Sequence, residues 1–378
     1  IEETLLEPRG LAFYGKDLFV NANNALSLVR LRDTDNDGRF DEQTVLKKTP
    51  GGVGHGRNNL CFGPDGKLYS IHGNDVRLPE DFNAAKDMRV PFMAIDRLRP
   101  CEWDGFLFDR SAKLPAGHLV RTDIIGSRWE VVAAGFRNPY GIDFNEDGEA
   151  FTFDADNEGD MGAPWYRPTR INHVVEGGDY GWRQGTAMRP FWYPDSMPST
   201  LVIGKSSPTD IKFGTKSNFP SRYRYSLFFL DWSYGRIYAV QLVPQGASYV
   251  GTAEVFVEGR PLNVTDLEFG PDGAMYFTTG GRGTQSGLYR VKYVGPESLI
   301  ASVEAYTADH AEEAAKARQR RRQLESLTPQ VGDLPLIAKG LDDRDEWIRH
   351  AAMTALMRRS EEHTSELQSH LNLVCRLL

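Results

Sequence analysis

The chain is poor in cysteine and has no long apolar segment. Its 378 residues include 3 cysteines, Cys61, Cys101 and Cys375, and none of them forms a Cys-x-x-Cys pair. That spacing excludes a zinc ribbon and a c-type haem attachment motif within the chain. No apolar run approaches the ~18 residues that a membrane-spanning helix needs. Cys61 and Cys101 can pair if the protein is exported, but we expect two buried free thiols.

Basic residues are outnumbered by acidic ones, 44 to 52. The formal net charge is −8 and the sequence pI is about 5.6. Because such a surface repels a polyanion, we expect no nucleic-acid partner. The chain starts at Ile1 rather than Met and shows no signal peptide, so we expect its N-terminus to be missing.

Glycine is abundant, and short apolar runs separated by Asp-Gly pairs recur along the chain. Asp-Gly supplies the positive φ that a tight hairpin needs. We recognise five strand–turn–strand units, at residues 10–20, 59–70, 141–153, 209–229 and 265–277. Four-stranded sheets repeated about an axis form a β-propeller. The last unit lacks an outer strand, so residues 2–6 either supply it or are the tail of a lost first blade.

The composition changes after Gly295-Pro296, and the chain becomes rich in Ala, Glu, Arg and Gln. We therefore divide it into a propeller (1–295), a helical linker (296–330) and a partial HEAT-like repeat (331–358). The basic run 316–322 is expected to be a solvated helix face rather than an RNA site. Residues 359–378 resemble a translated sequencing adapter, and we exclude them from the interpretation.

Two acidic segments are candidate cation sites. Asp154, Asp156 and Glu158 lie close together, a density that suits calcium, although an acidic solvated loop has the same composition. A second segment has Asp33, Asp35 and Asp37 at the spacing of a calcium loop. Its twelfth position is Thr44 instead of the usual Glu, so a hairpin rich in turn formers is the alternative.

One longer pattern resembles a known family. It consists of Arg137-Asn138-Pro139-x-Gly141, the acidic loop and then Gly177-Gly178-Asp179-Tyr180-Gly181-Trp182. This order is similar to the soluble glucose/sorbosone dehydrogenases. It is closer still to a bacterial family of membrane-bound dehydrogenase domains (PVC-type, usually haem-binding). The resemblance spans residues 8–359. It implies an all-β, six-bladed β-propeller, here truncated at its N-terminus and followed by a short α-helical HEAT-like segment.

The resemblance also implies a chemistry. His55 stands five residues before Leu60, as does the family's general base, which takes a proton while a quinone accepts hydride. Arg137 and Asn138 match the family's cofactor-contacting pair. The implied substrate is a sugar or polyol, and the implied electron acceptor is a cytochrome c domain, once on the same chain. The implied location is periplasmic or exported and membrane-associated.

Several family positions differ in this chain. Thr169-Arg170 stands where the family has an Asp-Glu pair, Ser233-Tyr234-Gly235 where it has a lysine, and Asn263 and Thr265 where it has two arginines. The lost cations argue against pyrroloquinoline quinone, whose three carboxylates need positive partners. The candidate substitutes are Arg282, which we assign to cofactor binding, Lys212 and Arg236. The tryptophans that could stack on a sugar are Trp103, Trp165, Trp182 and Trp232.

Three functions are compatible with these patterns. The first is a quinoprotein-like dehydrogenase that oxidises a sugar or polyol. The second is a non-catalytic propeller that binds carbohydrate or protein and carries a HEAT scaffold. The third is a metal-dependent lactonase, which would require acidic residues from several blades to meet at the axis. The first and second differ in whether His55, Arg137 and Asn138 share one cavity.

Overall fold

The computed structural model describes residues 5–83, 87–90, 115–155, 166–183, 196–296 and 311–360. These residues form five antiparallel sheets, in each of which consecutive strands pair side by side. The strands are β1 (Pro8–Tyr14), β2 (Asp17–Ala22), β3 (Ser27–Arg32), β4 (Glu42–Lys48), β5 (Arg57–Phe62), β6 (Leu68–His72), β7 (Gly117–Thr122), β8 (Trp129–Phe136), β9 (Ile142–Phe144), β10 (Ala150–Asp154), β11 (Thr169–Val174), β12 (Leu201–Gly204), β13 (Pro208–Phe213), β14 (Leu227–Asp231), β15 (Arg236–Gln245), β16 (Ser248–Glu258), β17 (Val264–Phe269), β18 (Met275–Thr279) and β19 (Gly287–Val291).

The predicted Asp-Gly turns close three of the hairpins. Gly66, Gly148 and Gly273 have φ values of 72°, 76° and 69°, which only glycine adopts at little cost. Each turn joins the first strand of a sheet to its second, as the repeat predicts. The local sequence therefore sets the register of these three sheets.

The first strand of each sheet packs against the first strand of the next. β1 contacts β5, β5 contacts β9, β9 contacts β13 and β13 contacts β17. Apolar side chains fill the spaces between sheets, as in the cluster around Phe228, Phe269 and Phe277 between the fourth and fifth sheets. This arrangement is a β-propeller with its first strands facing the axis.

The predicted blade number is wrong. Within the described residues there are five sheets, the fifth with three strands, rather than six blades. The sequence itself contains only five repeat units, and the sixth blade was inferred from the family resemblance alone. Residues 1–4 lie outside the described part of the chain. The backbone of Leu6 and Glu7 bonds to Asn24 and Asn23 of the first sheet.

Four α-helices occur in the described residues, α1 (Ser221–Arg224), α2 (Ala311–Ser326), α3 (Leu334–Leu341) and α4 (Glu346–Ser360), with 3-10 turns at Gly214–Lys216 and Val331–Asp333. α2 and α3 both pack on α4. Leu324, Ile337 and Trp347 join the same apolar core as Ile71 and Val174 of the second and third sheets. The helices are thus fused to the propeller by one continuous core. None of the described helices combines the length and apolar character needed to cross a bilayer.

The basic run of α2 is not wholly solvated, contrary to expectation. Arg321 is 1% exposed and pairs with Glu149 at 2.5 Å and Glu325 at 3.0 Å. Arg318 is also buried and lies 3.0 Å from Asp147. Asp147 and Glu149 belong to the hairpin at residues 145–149, so the two arginines join α2 to the third sheet instead of facing solvent.

Candidate active site in the central cavity

A cavity of about 510 Å³ opens where the loops before the first strands converge. It is lined by His55, Arg137, Asn138 and Arg282, the four residues that the sequence assigns to base and cofactor binding. Residues from all five sheets or their connections reach it. Its volume lies within the range of small-molecule and cofactor sites.

A recurrent β-bulge shapes the floor of this cavity. The register of the first strand is interrupted between Pro8 and Leu11, Arg57 and Leu60, Pro208 and Ile211, and Val264 and Asp266. A bulge re-aims the side chain beside it. Arg9, Thr209 and Thr265 lie in these interruptions, and all three line the cavity. The polar residues that line the cavity from the first strands therefore lie at bulges. The alternation of apolar and polar residues along a strand does not predict where a bulge occurs.

His55 is held in a defined tautomer by its neighbour Asn74. The Nδ1 of His55 lies 2.6 Å from Oδ1 of Asn74, so Nδ1–H donates and Nε2 carries the lone pair. The backbone N–H of His55 donates to Asp75 at 3.0 Å. The N–H of Asn74 donates in turn to the carbonyl of Arg137 at 2.8 Å. Asn74 thus connects the imidazole directly to the Arg137 segment.

Two arginines brace the glycine-rich loop that carries His55. Arg9 donates to the carbonyls of Val53 and Gly54 at 3.1 and 3.3 Å. Its other donors go to Glu7 and Asn58, so all five of its N–H groups are used within the protein. Arg57, which is wholly buried, donates to the Gly52 carbonyl at 3.0 Å, and burial lowers its pKa to about 10. These bonds fix the loop before any ligand arrives.

Asp154 anchors the Arg137-Asn138 turn. Its carboxylate is 0% exposed and accepts the N–H of Arg137 at 3.1 Å and that of Asn138 at 2.9 Å. Burial raises the pKa of Asp154, and Arg170, 3.8 Å away, opposes that shift. The carboxylate of Asp154 thus binds the backbone of the turn and is not exposed to solvent. Asp156 and Glu158 lie outside the described residues.

Asn138 is fixed on its other side by the second sheet. Nδ2 of Asn58 donates to Oδ1 of Asn138 at 3.0 Å and to the Pro139 carbonyl at 2.8 Å.

Gly73 fits tightly between His55 and Asn138. A Cβ at Gly73 would lie 2.5 Å from the His55 carbonyl oxygen and 2.7 Å from Oδ1 of Asn138. The second and third sheets therefore hold His55, Arg137 and Asn138 as one unit.

Deeper on the axis, acidic residues of three first strands surround one lysine. Lys212 pairs with Glu268 at 3.1 Å, and although burial opposes it, attraction to Asp143 and Asp210 raises the lysine pKa. Burial, together with the nearby Asp266, raises the pKa of Asp210. An ammonium group thus supplies the positive charge that a metal would bring. In the described ranges, Asp33, Asp35 and Asp37 are the one set of three potential metal ligands placed close enough together.

That set lies in the β3–β4 hairpin, away from the cavity. Its ligand oxygens lie within 4.8 Å of one another. Asp33 already accepts the N–H groups of Asn36 and Gly38, at 2.7 and 2.9 Å. Such bonds are typical of a turn, so the geometry fits both the calcium loop and the plain hairpin.

A match to one known protein family covers most of the chain. The family model for glucose/sorbosone dehydrogenases matches residues 12–290. The chain belongs to the glucose/sorbosone dehydrogenase family. None of the curated protein sequences matches it.

Solved glucose dehydrogenases share the fold of this family member. An oxidoreductase (glucose dehydrogenase) from Thermus thermophilus has a TM-score of 0.53 at 20% identity, over 75% of this chain and 85% of that one. A second glucose dehydrogenase has a TM-score of 0.53 at 19% identity, over 74% of this chain and 78% of that one. A third has a TM-score of 0.52 at 18% identity, over 74% and 79%. At such identities the likeness supports the fold alone.

The departures of this glucose/sorbosone dehydrogenase relative have structural consequences. Arg170, at the expected acidic pair, places a guanidinium beside Asp154. A guanidinium of the protein therefore lies 3.8 Å from the Asp154 carboxylate, at the position where the family has two further carboxylates. Of the three candidate substitute cations, Lys212 pairs with Glu268 and Arg236 with Glu258, and only Arg282 reaches the cavity.

The candidate sugar-stacking tryptophans also differ in whether they reach the cavity. Trp232 lines the cavity, whereas Trp182 is buried in a small core with Ala116. Trp103 and Trp165 lie outside the described residues. Trp232 is thus the described tryptophan that a ligand can reach.

The remaining donor set still suits an anionic, planar guest. Among the described lining residues there are three arginines and a histidine but no carboxylate. Arg9 is neutralised by Glu7, and the other two arginines of the lining are Arg137 and Arg282. The carboxylates of the family's quinone would therefore find two arginines in the cavity, Arg137 at the family's position and Arg282 at a different one. Neither Asn74 nor Arg9 was predicted, because neither belongs to a motif. Asn74 contacts the imidazole of His55, and Arg9 contacts the carbonyls of Val53 and Gly54.

Proposed function

We propose that this propeller is a quinoprotein-like dehydrogenase that oxidises a sugar or polyol in the central cavity. The observation that carries the proposal is that His55, Arg137 and Asn138 line one cavity and are linked through Asn74. A binding propeller needs no histidine fixed in the tautomer of a base.

In this proposal His55 is the general base. Because Nδ1 donates to Asn74, Nε2 takes the proton of the substrate hydroxyl as the carbonyl product forms. A bound quinone supplies the acceptor for the hydride that leaves the same carbon. Arg137, Asn138 and Arg282 hold the anionic guest, and Ser206, Ser207 and Thr209 offer hydroxyl groups to a polyol.

The wider organisation belongs to the same proposal. The family resemblance supports electron transfer to a haem domain, an exported and membrane-associated location, and a HEAT-type continuation of the α3–α4 pair. A surface calcium in the hairpin of Asp33, Asp35 and Asp37 is supported by the closeness of their oxygens.

The test is reconstitution. The purified chain is incubated with pyrroloquinoline quinone, with and without calcium, and dye reduction is followed over a panel of aldoses and polyols. We expect bleaching with at least one substrate and its loss in His55→Ala. Arg39→Gln, an exposed arginine outside the cavity lining, is the control and should retain full activity.

The rival function has a distinct outcome. If no aldose or polyol bleaches the dye while sugars still bind, the propeller is a carbohydrate-binding module, and His55 is a loop residue.

A further inference from the structure

Arg282 stands out among the charged residues of the cavity because its donors are unused. Among the described residues it forms no hydrogen bond and no ion pair, and its one contact of note is with the ring of Trp232. Arg9, by contrast, donates all five of its side-chain N–H groups to acceptors of Glu7, Val53, Gly54 and Asn58. An arginine in a cavity without a polar partner in the protein can give its donors to an acceptor that a ligand brings.

The backbone holds Arg282 in an unusual conformation. The φ values of Gly280, Gly281, Arg282 and Gly283 are 150°, 89°, 49° and 77°. A turn closes here, since the N–H of Thr284 donates to the Gly281 carbonyl at 2.9 Å. A non-glycine residue with positive φ is strained, and such strain clusters at ligand clamps.

The turn is fastened to Trp232 by a short cycle of bonds. Nε1 of Trp232 donates to the Gly280 carbonyl at 2.7 Å, and the N–H of Gly280 donates to the Asn263 carbonyl at 2.9 Å. Nδ2 of Asn263 donates back to the Trp232 carbonyl at 3.1 Å. The cycle joins the fourth sheet to the fifth and fixes the distance between the ring and the turn.

The guanidinium lies over the indole. The Cζ of Arg282 is 5.5 Å from the ring centroid of Trp232. An arginine stacked on an aromatic face keeps its N–H edge available for a planar acceptor such as a carboxylate. The described part of the lining contains no carboxylate, which leaves this edge of Arg282 available to an acceptor on the guest.

We propose that Arg282, stacked on Trp232 and presented by the Gly280–Gly283 turn, is a carboxylate-binding subsite of the cavity. This rests on the proposed function and names the chemistry of its ligand. The carboxylate belongs either to the quinone cofactor or to an acidic sugar such as a uronate, and binding measurements separate these two sources.

The first arm measures pyrroloquinoline quinone binding to the full chain by calorimetry. If the quinone supplies the carboxylate, Arg282→Gln weakens its binding about tenfold or more, as expected for a charged hydrogen bond. Glucuronate then binds to the quinone-loaded chain no better than glucose. Arg282→Lys retains part of the affinity, because the charge remains but the planar fork is lost.

The second arm titrates the quinone-loaded chain with glucuronate and with glucose. If the substrate supplies the carboxylate, glucuronate binds about tenfold more tightly than glucose, and Arg282→Gln removes that preference while quinone binding is unchanged. Arg39→Gln is the matched control in both arms, since it removes an exposed arginine outside the cavity lining.

The subsite is refuted if Arg282→Gln binds quinone, glucuronate and glucose as the wild type does. Arg282 is exposed, so this variant should fold normally, and the circular dichroism spectrum checks that it does. The result is independent of turnover. Absence of dye reduction would remove the dehydrogenase, whereas a binding defect in Arg282→Gln would still establish the subsite.

Discussion

The two sides of the cavity are built differently. On the second and third sheets, His55, Arg137 and Asn138 are held by Asn74, Asp154 and Asn58 through bonds of 2.6 to 3.1 Å. On the fourth and fifth sheets, Arg282 touches Trp232 and has no polar partner among the described residues. The first side is held by bonds within the protein, whereas in the second the described residues give Arg282 only an aromatic contact.

This difference indicates a division of labour. A general base must be fixed to within a fraction of an ångström, so its supporting bonds are made inside the protein. A residue that binds a charged group must keep its donors available, so it is positioned by its backbone and by stacking instead. We call the side with His55, Arg137 and Asn138 the braced side and the side with Arg282 the open side. Substitutions on the braced side should therefore impair the reaction, whereas substitutions on the open side should impair ligand binding.

The largest effect is expected from Gly73→Ala, which should displace His55 and Asn138 on the braced side. The new Cβ would meet the His55 carbonyl and Asn138 at contacts under 3 Å, so backbone must move. We expect dye-reduction activity to fall about 100-fold and stability by about 1–3 kcal/mol. Gly332→Ala is the control, because nothing lies within 4 Å of its Cβ. Near-wild-type activity in Gly73→Ala would show that the bracing is dispensable.

The next effect concerns the tautomer of His55. Asn74→Ala removes the acceptor of Nδ1–H and should lower kcat/KM by about tenfold or more. Asn74→Asp replaces it with a carboxylate, which stabilises the charged imidazole and should move the acid limb of the pH profile to higher pH. A purely structural asparagine would leave that limb in place, so an unmoved limb contradicts the positioning role.

Acid should weaken the second sheet, on the braced side. His118 is buried and stacks on His72 at 5.1 Å, and burial lowers the pKa of His118 to about 4. Because its pKa is about 6.5 when unfolded, the unfolded chain binds more protons between pH 6.5 and 4. Stability is therefore lost as pH falls through this window, by up to about 3 kcal/mol for this group.

The measurement is Tm against pH, with His118→Asn as the comparison. Asparagine can still donate to the Ala116 carbonyl, which His118 contacts at 2.8 Å, but it cannot gain charge. The variant should lose less Tm than the wild type between pH 6.5 and 4. Parallel slopes would mean that His118 is not the group responsible.

The smallest effect is expected from calcium. A guanidinium, that of Arg170, lies 3.8 Å from Asp154, and the Asp33 hairpin lies outside the cavity lining. Chelation should therefore change dye reduction by less than about twofold, and any calcium effect should appear as a Tm shift of a few degrees that Asp33→Asn abolishes. A tenfold loss of activity on chelation would instead place calcium at the cavity.

The sequence predicts much of the fold because the signals are local. Asp-Gly turns and alternating strands give five units, and the structure has five sheets at those places. The sixth blade was wrong because it came from resemblance, not from a repeat in this chain. The helical segment was found by composition, but its arginines were expected in solvent because their acidic partners lie some 170 positions away, at Asp147 and Glu149.

The candidate site was predictable only where a motif marks it. His55, Arg137 and Asn138 have motif neighbours, and the structure brings them to one cavity. Asn74 and Arg9 have none, since they act on backbone and imidazole atoms that only the folded chain brings near. The sequence assigns Asp154 to a metal site together with Asp156 and Glu158, which lie outside the described residues. The structure adds a role that the sequence does not show, since the Asp154 carboxylate accepts the N–H groups of Arg137 and Asn138.

The most direct test is the rate at which added sugar reduces bound quinone in His55→Ala and in the wild type, compared at equal quinone occupancy. We expect at least a 100-fold slower reduction in the variant, with quinone affinity unchanged. Equal rates in the two proteins would contradict the assignment of His55 as the base and with it the braced side as the catalytic one.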